Sequence, residues 1–527
     1  MLCTRFTSEP ICDYSRDENV AGVGRAVEAL ERRLDAYHPA VIGGRPVETE
    51  KSIVSRCPAL PERIVGRAAS CTRAHVDEAI AGAQRAFATW ARTDPEVRAD
   101  VLVRLASLIR RDRFDFIALL GMEIGKDWYE ADAEIAEAID FCEYYARLAI
   151  RHFQYQPLTR LTTEDNCYYY IPLGVGAVIS PWNFPLAILA GMTMAAVVSG
   201  NTVVVKPSSD TPVIAARLVA LAREAGVPDG VINLVPGSGG EIGDHLVTHP
   251  DVRFVAFTGS ADVGLRIGEL ISKPRPDRRW MTRYVSEMGG KNAIIVDETA
   301  DLDAASTGVV RSAFGFQGQK CSACSRLVVH RDVKERLLGM ILEKTRKMPA
   351  GLPWAEPCIF TGPVANESAF RGILTAIETG KGEGRLLLGG HALERPGYFV
   401  APTIFDGVTS RSFLGQEEIF GPVLGVIEAG SFEEALGIAN DTRYGLTGAV
   451  YSTSIERLDR AKHEFHCGNL YLNRGCTGAL VGVHPFGGFN LSGTDSKAGG
   501  PDYLMNFTQG KTTSERVTVL RLPGVGV

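Results

Sequence analysis

Residues 202–226, TVVVKPSSDTPVIAARLVALAREAG, decide the fold. TVVVK is a short, continuously apolar strand. The segment TPVIAARLVALAREAG that follows has apolar residues at three- and four-residue spacing. It opens with Thr211–Pro212 and closes at Gly226, the start and stop signals of a helix. Further short apolar strands lie on either side: VGAVIS (175–180), VINLV (231–235) and RFVAFTG (253–259). Apolar strands alternating with helices imply a parallel sheet covered on both faces. A second alternating series starts at YVSEMGGKNAIIVD (284–297) and runs to about residue 472. The expected architecture is therefore two α/β domains in sequence.

Upstream, residues 17–37 and 74–92 predict helices. Residues 98–125 predict one long amphipathic helix or two. Residues 132–150 predict another, with Glu137, Asp140 and Phe141 close together on it. QPLTRLTTEDNCYYYIP (156–172) has β character and fits neither series. With the tail NFTQGKTTSERVTV (506–519) it is expected to form either a protruding sheet that pairs with another subunit or a plain surface hairpin.

The chain has 527 residues, of which 45% are hydrophobic and 22% charged, enough for a large core. A formal net charge of −6, with no basic tract, gives no general attraction to nucleic acid or anionic lipid. Eleven cysteines without repeated spacing do not form a disulfide framework, so reduced thiols and a cytoplasmic location are expected. The first 20 residues lack the apolar core of a secretory signal. LAILAGMTMAAVV (186–198) is too short to span a bilayer and reads as a buried helix.

Several turns are candidates for chemistry. The strand VGAVIS runs into PWNFP instead of the usual glycine-rich phosphate turn. FTGSADVG (257–264) spaces Gly259 and Gly264 around Ser260 like a phosphate loop, but Leu265–Arg266 replace the required Lys–Ser/Thr. It is either a phosphate site or simply a helix start. Lys206 closes its strand at the sheet edge where ligands bind, and fits either a ribose hydroxyl or solvent. SEMGGKN (286–292) puts Glu287 before a Gly-Gly turn. FQGQKCSACSR (316–326) holds Cys321 and Cys324 three apart, behind a loop read as a flexible approach. No second C-x-x-C or nearby His pair completes a zinc site, and no metal is expected. A single reactive thiol and a buried structural pair both remain open at this point.

Taken together, SPWNFP, VVVKPSSDTP, FTGSADVG, EMGGKN, GQKCSACSR, EEIFGPVLGV and HPFGGFNLSG, in this order, resemble the aldehyde dehydrogenase superfamily over about residues 20–520. EADAEIAEAIDFCEYYAR, FGFQGQKCSACSRL and the stretch from GNLYLNRGCTGALVGV onward resemble the members that oxidise glutamate γ-semialdehyde to glutamate in proline breakdown. The likeness implies an α/β fold with a Rossmann-like nucleotide-binding domain (1–154 and 172–285), a catalytic domain (286–501) and a small oligomerisation flap (155–171 and 502–527).

It also implies roles for individual residues. Cys321 is the nucleophile and Cys324 a bystander. Asn183 and the Cys321 N–H hold the oxyanion, and Glu287 is the base for thioester hydrolysis. Ser180, Trp182, Lys206, Ser209, Gly259, Ser260, Gly264, Glu418 and Phe420 fall at positions contacting NAD. Ser209 stands where many NAD-preferring members have Glu, so NADP is a weaker alternative. Gly478 and Ala479 in CTGALVG, with Ser322, are suited to a carboxylate. Glu137 suits an ammonium, and Phe184 and Phe486 suit the aliphatic stem. The implied partners are a small-molecule substrate and further copies of the chain, in a dimer or a dimer-based assembly; neither nucleic acid nor membrane is expected. A dehydrogenase for another semialdehyde, or an inactive relative keeping only the fold, are the competing readings.

Overall fold

The structure, a computed structural model, describes residues 5–516. Two seven-stranded sheets organise it. In the first, the order is Arg283–Glu287, Val252–Thr258, Val175–Ile179, Thr202–Lys206, Ile232–Leu234, Ala40–Ile42 and Arg45–Val47. The first five strands are parallel to one another, and each of the last two runs antiparallel to the strand before it. Every residue of Thr202–Lys206 is buried, as its unbroken apolar run requires. The helix Ala187–Val198 buries all but one of its residues against the sheet, matching its lack of a polar face. Gly176 is needed where it is: a Cβ there would lie 2.0 Å from the ring of Phe254.

The second sheet runs Arg385–Leu388, Thr403–Asp406, Val423–Ala429, Cys324–His330, Asn292–Val296, Thr447–Tyr451 and Asn469–Leu472. It is parallel except for its first strand. Separate apolar clusters fill its two faces.

Some segments depart from the sequence reading. YVSEMGGKNAIIVD does not start one series. Its first half pairs with Val252–Thr258 and closes the first sheet, while its second half is a central strand of the second. The segment read as one helix or two is two, Pro95–Arg111 and Arg113–Ile124, broken at Asp112. The helix predicted over 17–37 ends at Glu31. Residues 36–69 instead hold a three-stranded sheet of Ala36–His38, Leu60–Ala69 and Ser52–Cys57, whose half-exposed strands lack a clean alternation.

Glu164–Pro172 and Thr508–Arg516 pair antiparallel over nine residues into a largely exposed two-stranded ribbon. Residues 517–519 of the predicted tail strand lie outside the described residues. Asn201 ties the ribbon's base to the body. It accepts from the N–H groups of Leu173 and Gly174 and donates to the Phe507 carbonyl at 2.9 Å. Among the described residues, no helix is long and apolar enough to cross a membrane.

Candidate active site

A cavity of about 360 Å³ lies between the sheets, and its lining includes Glu137, Phe184, Glu287, Cys321, Ser322 and Phe486. The Gly478–Ala479 turn lines it too. The cavity is large enough to enclose a small metabolite.

Cys321 stands on a loop that is buried and strained, not the flexible approach expected. Phe316, Gln317 and Gly318 have φ of 48°, 54° and 66°, three consecutive left-handed residues, and all are buried. Only a firmly packed surround holds non-glycine residues there. Gln317 donates to the Phe360 carbonyl at 3.1 Å. A Cβ on Gly318 would come within 2.3 Å of the Gly421 carbonyl oxygen. Asn292, the first residue of its strand, fixes the other side. Its amide donates to the carbonyls of Cys321 (2.7 Å) and Ala323 (2.9 Å), and its oxygen accepts from the Thr447 N–H.

The Cys321 thiol is held well above the ordinary thiol range, first by burial and then by the carboxylates of Glu287, Glu418 and Glu137. Its backbone N–H has no protein acceptor among the described residues. Asn183 is buried and spends one amide N–H on the Gln319 carbonyl at 3.1 Å, leaving the other free to donate. Cys324 is set apart. It is buried in the second sheet's core, its thiol donates to the Arg326 carbonyl, and its thiol neighbour is Cys476 rather than Cys321.

Both carboxylate oxygens of Glu287 are buried and, among the described residues, no side chain hydrogen-bonds them, although the Gly488 N–H lies close. Burial raises this carboxyl well above the usual range, with Lys497 acting in the opposite direction. The Gly-Gly turn after it is required by crowding: a Cβ on Gly289 would lie 2.1 Å from Glu418 Oε2, and one on Gly290 2.6 Å from the Cys321 carbonyl. Glu418 accepts from the Gly290 N–H at 2.8 Å, and burial pushes its carboxyl up to about 7.

The residues expected around a dinucleotide gather at the strand ends of the first sheet. Lys206 is buried, donates only to the Pro207 carbonyl, and is brought down to about 8 by burial. The Ser180 hydroxyl is buried with no partner. Ser260 caps the helix Ala261–Ser272, accepting from the Val263 N–H. Trp182 and Phe420 meet edge to face at 5.3 Å. Ser209 is half-buried in the turn after the strand of Lys206. Unsatisfied buried donors beside a helix start suit a ribose and a pyrophosphate, so these residues fit a dinucleotide. Gly259 and Gly264 serve packing: their missing Cβ atoms face Phe257 and, for Gly264, Met288.

On the substrate side, Gly478 is left-handed at φ 77°, and neither its N–H nor that of Ala479 has an acceptor among the described residues. Arg474 braces the turn from behind, donating to the carbonyls of Thr477 and Gly478. Phe184 is stacked on Lys126, whose Nζ sits 3.6 Å from the ring centroid and 2.6 Å from Glu134 Oε2. Sequence reasoning missed Asn292, Arg474, Lys497 and Lys126. Only the neighbourhood of Asn292 and Arg474 to known turns offered any signal.

This chain belongs to the aldehyde dehydrogenase family, whose profile matches residues 46–513. Within it, the chain is similar to 1-pyrroline-5-carboxylate dehydrogenases. It is 51% identical to that of Geobacillus thermodenitrificans over 510 residues (97% of this chain, 99% of the relative). It is 50% identical to that of Bacillus mycoides over 514 residues (98% and 100%). Among solved structures, the 1-pyrroline-5-carboxylate dehydrogenase from Thermus with bound NAD superposes with a TM-score of 0.96 at 47% identity, covering 98% of this chain and all of that one.

Proposed function

We infer that the chain oxidises L-glutamate γ-semialdehyde, the open form of 1-pyrroline-5-carboxylate, to L-glutamate with a nicotinamide dinucleotide. The observation that carries this reading is one cavity joining Cys321 and Ser322 to a turn of free N–H groups at Gly478 and Ala479, with Phe184 and Phe486 on the same lining. That is a reactive centre with a carboxylate anchor at a distance from it.

In this reading the Cys321 thiolate adds to the aldehyde carbon. The oxyanion of the thiohemiacetal takes the free Asn183 N–H and the Cys321 backbone N–H. A thiol raised by burial and three carboxylates gives up its proton to a nearby base, and the same burial makes Glu287 a stronger base than an exposed carboxylate. The dinucleotide, when bound, supplies the hydride acceptor. Lys206, Ser180, Ser260, Trp182, Glu418 and Phe420 would hold it. Cys321 then carries a thioester, and Glu287 draws a proton from the water that hydrolyses it. No side chain holds the Glu287 carboxylate among the described residues, which leaves it room to receive that water. Likeness to a relative with bound NAD supports NAD as the preferred cofactor.

The exposed ribbon edges supply the surface for pairing two copies, and a cytoplasmic setting suits free cysteines throughout the described residues. The test compares substrates. An aldehyde of similar length lacking the carboxylate should lose on the order of a hundredfold in kcat/KM. Equal oxidation of the two would overturn the substrate assignment.

A further inference from the structure

Glu137 is the carboxyl on the substrate side of the cavity that the protein itself leaves unheld. Glu130 is paired with Lys320 at 2.6 Å. Asp140 accepts from the Glu9 N–H. Glu134 is tied to Lys126 and to the N–H groups of Leu186 and Ala187. Glu137 lines the cavity from the helix Trp128–His152 and makes no hydrogen bond or ion pair among the described residues.

The substrate's own chemistry gives this position a meaning, provided the substrate is the one assigned above. Glutamate γ-semialdehyde condenses with its own amine to a five-membered imine. In that ring the amine nitrogen is bonded to the carbon that Cys321 must attack. Glu137 lines the same cavity as Cys321 and is near enough for its charge to act on that thiol, so a ring form that brings its C=N carbon to Cys321 comes within the reach of Glu137. We propose that this cavity also opens the ring, with Glu137 carrying the protons.

The steps balance. Water adds to the protonated imine carbon as the C=N π pair moves to nitrogen, and the Glu137 carboxylate takes a proton from that water. Glu137 then returns the proton to nitrogen. The C–N bond breaks with its electron pair going to nitrogen. The hydroxyl proton passes through Glu137 to the departing amine as the C=O bond forms. The products are the aldehyde and an ammonium ion, and Glu137 ends as it began. No oxidant or reductant is needed. The aldehyde is released beside Cys321. Burial, reinforced by Glu134 and opposed by Lys126, brings the Glu137 carboxyl to about 8, where it gives and takes protons readily near neutral pH.

Exchange spectroscopy by NMR on Cys321→Ala, which cannot oxidise, isolates ring opening. This variant should speed interconversion of ring and open forms by on the order of a hundredfold over buffer. Cys321→Ala/Glu137→Gln should not. In parallel, wild-type oxidation of the ring form should keep rising with enzyme concentration past the spontaneous ring-opening rate, whereas Glu137→Gln should level off at that rate. Glutarate semialdehyde, which has no amine and cannot cyclise, should lose far less from Glu137→Gln. A wild-type rate that levels off at spontaneous ring opening, exchange unchanged by Cys321→Ala, or equal losses on both aldehydes would each overturn the proposal. Failure of the substrate reading looks different: the wild type would oxidise an aldehyde lacking the carboxylate as well as it oxidises glutamate γ-semialdehyde.

Discussion

The two seven-stranded sheets face the same cavity with opposite ends of their strands. The first offers C-terminal ends: Ser180 follows one strand, and Lys206 and Glu287 end two others. The second offers N-terminal starts, with Asn292, Cys324 and Thr447 each opening a strand. The first set carries polar groups with few or no protein partners, which is the state of a surface built to bind. Of the second set, Asn292 and Thr447 spend their polar groups on each other and on the loop of Cys321, which is the state of a mount, while Cys324 faces the core. One sheet leaves its polar groups free, the other mounts the loop of Cys321, and residues 287–292 cross between them.

The largest effect expected on this division is at the mounted residue. Cys321→Ala should lower turnover by at least about ten-thousandfold and leave cofactor binding, read by fluorescence titration, intact. Cys324→Ala should keep most activity, because its thiol belongs to the core. A comparable loss there would mean the strand start takes part in the chemistry.

Next is Glu287→Gln, which should slow thioester hydrolysis by about a hundredfold or more. Rapid mixing should then show a burst of reduced cofactor followed by slow turnover. Absence of a burst would move Glu287 to an earlier step.

Asn292→Ala tests the mount directly. It leaves one buried and one part-buried carbonyl and one N–H without their partner and should cost about 2–4 kcal/mol in denaturant unfolding. It should reduce kcat while cofactor affinity changes little. A loss confined to cofactor affinity would erase the contrast between the sheets.

Lys206→Met should act with two signs. Cofactor affinity should fall about tenfold, the value of a charge-assisted contact. Stability should rise. Folded Lys206 loses its proton near pH 8 and an unfolded lysine near 10.5, so the unfolded chain binds the extra proton throughout that interval. Wild-type stability therefore increases with pH between those values and carries the full penalty of the buried charge below pH 8. Melting curves across this range should show the slope in the wild type and lose it in the variant.

The smallest effect is expected from Ser209→Glu, which should depress NADP use selectively by repelling the 2′-phosphate. An unchanged NAD/NADP ratio would place this turn away from the adenosine ribose.

The binding sheet was far more legible in the sequence than the mount. Strands buried on both faces announce themselves as apolar runs, and Lys206 at the end of one is a conspicuous break in pattern. The site residues Cys321, Glu287 and Asn183 came from motif order. Periodicity alone left the cysteine pair undecided, because burial and neighbouring thiols depend on which strand passes beside them. Asn292 reads as any polar residue before a strand. Lys126 sits in a stretch, GKDW, whose composition predicts solvent exposure, and only the folded contact with Glu134 and Phe184 explains its burial. The strands within 36–69 were lost because charged residues interrupt their alternation.

The ribbon joins residues 164–172 to residues 508–516, so its two halves are made at very different times. As the chain is synthesised from its N-terminus, all strands of the first sheet emerge long before Thr508–Arg516 exists. Glu164–Pro172 therefore waits as an unpaired strand, with Tyr168, Tyr169 and Tyr170 on it, through most of translation. Its charged end, Glu164–Asp165, discourages premature pairing with other strands in that interval. The ribbon, and any pairing of copies along its edge, can form only after Thr508–Arg516 has been made, so the edge stays incomplete until late in synthesis.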